Sequence, residues 1–204
     1  MNKDTLDYYN THAEYFCSNT LHADMHETQT AFLGAVLHAF PDAEKKDIHL
    51  LDFGCGSGRD ALFFHTLGYA VNACDGSAEL VKSAREYTGL EVQQMLFTEL
   101  NEIKKYQGIW ACASILHCSH EELIEVLKRI HDALVPHGIL YTSFKYGSDE
   151  GMRNGRYFID CNEKKLDAIL KETPGFTVLK QWQTGDVRPG RGNEKWLNVL
   201  LQRN

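Results

Sequence analysis

The segment Leu50-Leu51-Asp52-Phe53-Gly54-Cys55-Gly56-Ser57-Gly58-Arg59-Asp60 carries the most chemistry in the chain. A short apolar run enters three alternating glycines and then a helix-forming stretch. Glycines at such a hinge let the backbone pass close to a ligand, and the first turn of the following helix offers unpaired N–H groups and the positive end of its dipole. Seventeen residues beyond Gly58, Asp75 closes a second apolar run in Ala73-Cys74-Asp75-Gly76-Ser77. An acidic side chain at that place accepts hydrogen bonds from the two hydroxyls of a ribose, as in dinucleotide-binding folds. Taken alone, the glycine loop reads as a tight strand-to-helix turn and Asp75 as a turn residue or helix-cap neighbour. Together they point to a nucleoside ligand.

The glycine spacing bears on which nucleoside that is. Nicotinamide and flavin dinucleotides use G-x-G-x-x-G to hold a pyrophosphate. Here the pattern is G-x-G-x-G, with Asp52 two residues before the first glycine. A carboxylate there repels a pyrophosphate and suits a cationic amino group, which favours S-adenosylmethionine over a dinucleotide. A nicotinamide-dependent oxidoreductase stays as the outside alternative.

Elements able to hold these residues follow in order. Between about residues 49 and 146, short apolar runs alternate with amphipathic stretches, the pattern of strand–helix units in a parallel sheet. Strands are expected over 49–53, 69–74, 90–96, 109–114 and 139–144, and helices over 59–66 and 78–87. Another helix follows the Ser119-x-x-Glu122 capping box, with Leu123, Ile124, Leu127, Ile130 and Leu134 as its apolar stripe. Polar and glycine-rich residues without an assigned strand run to Gly155. A helix over 163–171, capped by Asn162, then precedes a closing hairpin of strands 176–183 and 196–202 around the Arg-containing loop 184–193. The first forty residues read as helix and stand outside the alternation.

Two further groups could serve an acceptor. His117 follows the fourth expected strand, at the end of the sheet where substrates bind in open α/β folds; it reads as a base, a cofactor contact or a locally satisfied histidine. Lys145, Arg153, Arg156, Arg188, Arg191 and Lys195, with Tyr157, Trp182 and Trp196, could form a cationic, aromatic mouth for a carboxylate or phosphate. The alternative is a solvated loop face. Spacing among His12, His22 and His26 suits no metal ion.

Composition narrows the classes. The 204 residues are 43% hydrophobic and 24% charged with a formal net charge of -7, which fits one globular domain and disfavours broad nucleic-acid binding. No apolar stretch approaches the length of a membrane span. Six cysteines without a C-x-x-C pair, and a start lacking an apolar signal core, lead to the expectation of a cytoplasmic protein with reduced thiols and no structural metal.

The runs LDFGCGSGRDA, CDGSAELVKSA, GIWACASILHCS and LVPHGILYTSFKYG resemble motifs I, II, IV and the post-IV strand of class I S-adenosylmethionine-dependent methyltransferases, of the small bacterial, tellurite-resistance-like type. The resemblance spans about residues 5 to 203. It implies an α/β, Rossmann-like, doubly wound sheet of seven strands in the order 3-2-1-4-5-7-6, the last strand antiparallel and helices on both faces. It divides the single domain into an N-terminal helical lid (1–40), a cofactor-binding core (48–146) and a substrate-side helix and hairpin (147–204). Asp52, Gly54 and Gly56 would line the methionine part, Asp75 the ribose, Gly76 and Ser77 the adenine edge, and Ala113 the methionine amino group. Tyr8, Tyr9, Tyr15 and Phe16 match the lid, with Tyr15 as its cofactor contact, and His117, Tyr15 and Tyr157 are the catalytic candidates. Gln107 replaces the usual Asp that opens motif IV, and Leu96 and Phe97 stand where an Asp often faces the adenine. The activity so implied is methyl transfer to a small-molecule acceptor, which the cationic mouth would suit if anionic; an RNA or protein methyltransferase and a non-catalytic S-adenosylmethionine-binding regulator are the alternatives.

Overall fold

The computed structural model describes residues 2–188 and 190–204, so that Met1 and Pro189, the latter within the expected loop 184–193, lie outside it. Strands β1 (His49–Phe53), β2 (Ala70–Asp75), β3 (Val92–Gln94), β4 (Tyr106–Ala111), β5 (Leu134–Lys145), β8 (Phe176–Gly185) and β9 (Lys195–Arg203) form one sheet in the order β3-β2-β1-β4-β5-β9-β8. Strand β9 runs antiparallel to both of its neighbours, and the rest of the central ladder is parallel. This is the expected order, with β8 and β9 as the sixth and seventh strands of the sheet.

Both faces are buried because successive residues of a strand point to opposite sides. Leu51 and Phe53, Ile109 and Ala111, and Leu140 and Phe144 join one apolar cluster, which is completed by Leu123 and Leu127 of helix α6 (His120–Ala133) and Leu166 of α7 (Glu163–Glu172). Leu50, Trp110, Ile139 and Tyr141 join the other, with Phe32 and Val36 of α3 (His26–Ala39) and Phe64 of α4 (Arg59–Thr66). Trp110 stacks on Tyr141 with ring centres 4.0 Å apart. Helix α5 (Ala78–Thr88) follows β2.

The capping box of α6 is present. Ser119 Oγ accepts from the Glu122 amide at 3.3 Å, and the Glu122 carboxylate accepts from the Ser119 amide at 3.0 Å. Asn162 caps α7 by accepting from the Lys165 amide at 2.9 Å.

Three differences from the sequence reading matter for function. Strand β4 begins and ends three residues earlier than expected, because Ala113 takes a positive φ of 50° and leaves the ladder. The N-terminal region is three helices, α1 (Lys3–Thr11), α2 (Ala13–Thr20) and α3, and α3 belongs to the sheet's helical layer. Finally, β6 (Glu150–Arg153) and β7 (Arg156–Ile159) form a separate hairpin where no strand was assigned. Its turn is Asn154-Gly155, both residues at positive φ, a pairing that favours a tight two-residue hairpin. Among the described residues no helix is long and apolar enough to cross a membrane.

Candidate active site

A cavity of about 340 Å³ opens at the carboxyl ends of β1, β2, β4 and β5, the edge of an open α/β sheet where ligands collect. On one side it is bounded by the glycine loop after β1 and by Asp75 at the end of β2, on the other by Ala113, His117, Lys145 and Arg156.

Gly54 and Gly56 have φ of +84° and +55°, where an L side chain is strained. Each is also closed in. A Cβ on Gly54 would stand 2.5 Å from Ser114 Cβ, and one on Gly56 would stand 2.8 Å from the Phe16 ring. Asp75 fastens this hinge: its Oδ2 accepts from the Gly56 amide and its Oδ1 from the Ser77 amide, both at 2.9 Å. Burial raises the Asp75 pKa, and those backbone donors oppose the rise. Each carboxylate oxygen keeps a lone pair for a ligand hydroxyl.

The other predicted residues divide. Ala113 lines the cavity, and its amide donates to Ser143 Oγ at 2.8 Å. Asp52 lies under the cavity and does not line it. By strand alternation its side chain shares the face of Leu50, towards α4, where it is 2% exposed with Oδ2 unpartnered. Burial and then the Asp60 charge push its pKa well up. Gly76 and Ser77 are also outside the cavity lining. Ser77 Oγ instead accepts from the Leu80 amide at 3.2 Å, capping α5, and donates to Asn10 Oδ1 at 2.7 Å, which ties α1 to the sheet.

Tyr15 lies away from the cavity. It is 66% exposed and does not line the cavity, since adjacent helical residues diverge by about 100°. Phe16 and Tyr9 are the N-terminal aromatics that do. Alternation along β7 gives Arg156 and Phe158 to the cavity, while the Tyr157 hydroxyl donates to Glu150 at 2.7 Å. Its backbone carbonyl nevertheless serves the site through His117.

His117 is 5% exposed, and its Nδ1 lies 2.6 Å from the Tyr157 carbonyl. A carbonyl only accepts, so Nδ1 carries the proton and Nε2 is left as acceptor for the Tyr9 hydroxyl at 2.8 Å. Burial drives the imidazole pKa down to about 4, with Arg156, Lys145 and Arg153 pushing the same way and the Tyr157 carbonyl opposing. The ring is neutral at pH 7.

The cationic mouth is mostly paired. Arg188 donates to Asp186 at 2.9 Å, Lys145 pairs with Glu194, Arg191 lies 3.6 Å from Glu194, and Arg153 pairs with Asp160. A polar cluster missed from sequence supports the opposite wall. Asp60 accepts from Arg59 (2.7 Å), from Gln29 (2.7 Å) and from the Trp110 indole (2.9 Å). Burial would lower the Arg59 pKa, yet Asp60 more than reverses it and holds the guanidinium charged. The available signal was Trp110 itself, an indole N–H in an apolar strand that needs a buried acceptor. Gln107, the motif IV departure, accepts from the His49 amide at 2.8 Å and so serves the sheet.

Residues 50–138 match the family described as a methyltransferase domain. No curated protein sequence matches the chain. Among solved structures, the chain is similar to the 1,6-didemethyltoxoflavin-N1-methyltransferase of Burkholderia thailandensis, with bound 1,6-didemethyltoxoflavin and S-adenosylhomocysteine, at 22% identity and a TM-score of 0.66, covering 97% of this chain and 89% of that one. It is similar to magnesium protoporphyrin IX methyltransferase of Synechocystis with bound S-adenosylmethionine at 16% identity and a TM-score of 0.68, covering 100% and 99%. The cyclase SpnF is similar as well, at 17% identity and a TM-score of 0.66, covering 97% and 94%.

Proposed function

We propose that this chain, whose residues 50–138 match a methyltransferase domain and whose sheet has the order β3-β2-β1-β4-β5-β9-β8, is a class I S-adenosylmethionine-dependent methyltransferase that transfers the methyl group of S-adenosylmethionine to a small, anionic acceptor by in-line displacement. The observation that carries this reading is the joining, in one cavity, of the Gly54–Gly56 hinge and Asp75 with the His117–Tyr9 pair and Arg156.

The residues present fit the cofactor. Asp75 has oxygen lone pairs left for two ribose hydroxyls, and a Cβ on Gly54 or Gly56 would fill the cradle. When bound, S-adenosylmethionine supplies an electrophilic methyl on a sulfonium. The chain then has to position the acceptor, exclude water and receive a proton. Phe16 and Tyr9 close the cavity over the hinge, which supports exclusion of water. His117, held neutral with Nε2 facing the Tyr9 hydroxyl, receives the acceptor's proton directly or through that hydroxyl. A base with so low a pKa suits an acceptor that releases its proton as the new bond forms. A concave cavity of about 340 Å³ with Tyr9, Phe16 and Phe158 in its lining favours a small molecule over a polymer.

Similarity to a cyclase means that binding alone does not establish transfer. Calorimetry should therefore give saturable binding of S-adenosylmethionine and S-adenosylhomocysteine, and incubation of the protein with methyl-labelled S-adenosylmethionine and a metabolite extract should label a small product. Binding without any labelled product would favour the regulatory alternative. Saturation by NADH with indifference to both sulfur nucleosides would overturn the assignment.

A further inference from the structure

We propose that Arg156 selects the methyl acceptor by pairing with a single carboxylate group on it. The inference rests on the methyltransferase reading and goes beyond it by naming the acceptor's charge and the residue that reads it.

Arg156 differs from the other cations of the cavity in having nothing to neutralise it. Arg59 is held by Asp60, Arg188 by Asp186, and Lys145 and Arg191 share Glu194. Among the described residues no carboxylate lies within 4.0 Å of Arg156, and its Nε is buried without a hydrogen-bond partner. Its surroundings are rings: the guanidinium carbon is 4.4 Å from the centre of Tyr8, 5.1 Å from Phe158 and 5.8 Å from Tyr9. The Tyr9 hydroxyl takes one of its N–H groups, and aromatic faces hold the guanidinium in place without supplying a counter-ion, which is the state of an Arg prepared for an oxyanion.

Placement adds to this. Arg156 opens β7 beside the Asn154-Gly155 turn, and α1 fastens that turn: the Tyr157 amide donates to Thr5 Oγ1 at 2.9 Å, and a Cβ on Gly155 would meet the Tyr8 ring at 3.1 Å. The next residue supplies the carbonyl that fixes His117. An anion held by Arg156 therefore sits beside the His117–Tyr9 pair that receives the proton. One uncompensated positive charge matches a monoanion, so a carboxylate suits the site better than a phosphate dianion. Arg also meets a planar carboxylate with two parallel hydrogen bonds.

The test titrates the full-length protein, saturated with S-adenosylhomocysteine, with a panel of aromatic and aliphatic carboxylic acids, their carboxamides and inorganic phosphate. Wild type should bind one or more acids and not the matching amides. Arg156→Gln should lose at least tenfold in affinity for those acids, and Arg156→Lys should fall between. Near-UV circular dichroism and the affinity for S-adenosylhomocysteine should be unchanged in both variants, which separates a lost anion contact from a lost fold. Equal acid binding by wild type and Arg156→Gln, no acid bound by wild type, or phosphate bound more tightly than any acid would each overturn the proposal. Failure of wild type to bind S-adenosylhomocysteine would instead remove the methyltransferase reading on which it stands.

Discussion

At Asp75 one carboxylate holds the backbone of the glycine hinge and still has capacity for a ligand. Asp75→Asn keeps the shape but places an N–H₂ against one of two backbone donors and removes the charge. Affinity for S-adenosylmethionine should fall about tenfold or more, read by calorimetry. Gly56→Ala forces an L side chain to a φ of +55° and its Cβ towards Phe16 at 2.8 Å. A loss of about 1–2 kcal/mol in urea unfolding is expected from the backbone alone, with weaker cofactor binding as Phe16 moves away. His117 gives a pH dependence. Its pKa is about 4 in the folded protein against the ordinary 6.5 of a free imidazole, so the unfolded chain binds more protons between those values and stability rises with pH there. The contribution is complete above pH 6.5 and lost as pH falls towards 4, up to ~3 kcal/mol at about 1.4 kcal/mol per unit. Urea titrations across that window should show the slope, and His117→Asn should flatten it.

Helices α1 and α2 have little core of their own: Thr5 and Ala13 are their buried residues. They are held by particular contacts, Asn10 to Ser77, Tyr9 to His117, Thr5 to the Tyr157 amide and Phe16 against Gly56. Elements attached in this way open below the free energy of global unfolding. Phe16→Ala should raise the KM for S-adenosylmethionine about tenfold while leaving the unfolding midpoint nearly unchanged, and Tyr15→Ala, at an exposed position, should do much less. A fall in unfolding stability as large as that of a core truncation would show that α1 and α2 are part of the core instead.

For the molecule as a whole, a ligand that binds only the folded state stabilises it by mass action. S-adenosylhomocysteine at a hundred times its Kd should add about 2.7 kcal/mol, or a rise in Tm of roughly 5–10 °C for a chain of this size. NADH at the same concentration should leave the Tm in place.

Local rules carried the sequence a long way. Strand alternation, the Ser119–Glu122 box and the Asn162 cap are short-range patterns with one physical reading each, so the strands of the sheet, their helices and the place of the glycine hinge were legible from residues 49–202. Asn154-Gly155 was an equally local signal for the β6–β7 hairpin and went unused. What tertiary structure alone decided is direction and pairing. Which of Tyr15 and Phe16 meets Gly56, whether Asp52 reaches the cavity, and which cations find a carboxylate depend on neighbours distant in sequence: Arg153 finds Asp160, Lys145 finds Glu194, and Arg156 finds the Tyr8 and Tyr9 side chains. A hydrogen bond or ion pair forms over about 3 Å, and sequence spacing does not fix positions that finely once a chain has crossed from one layer of a fold to another.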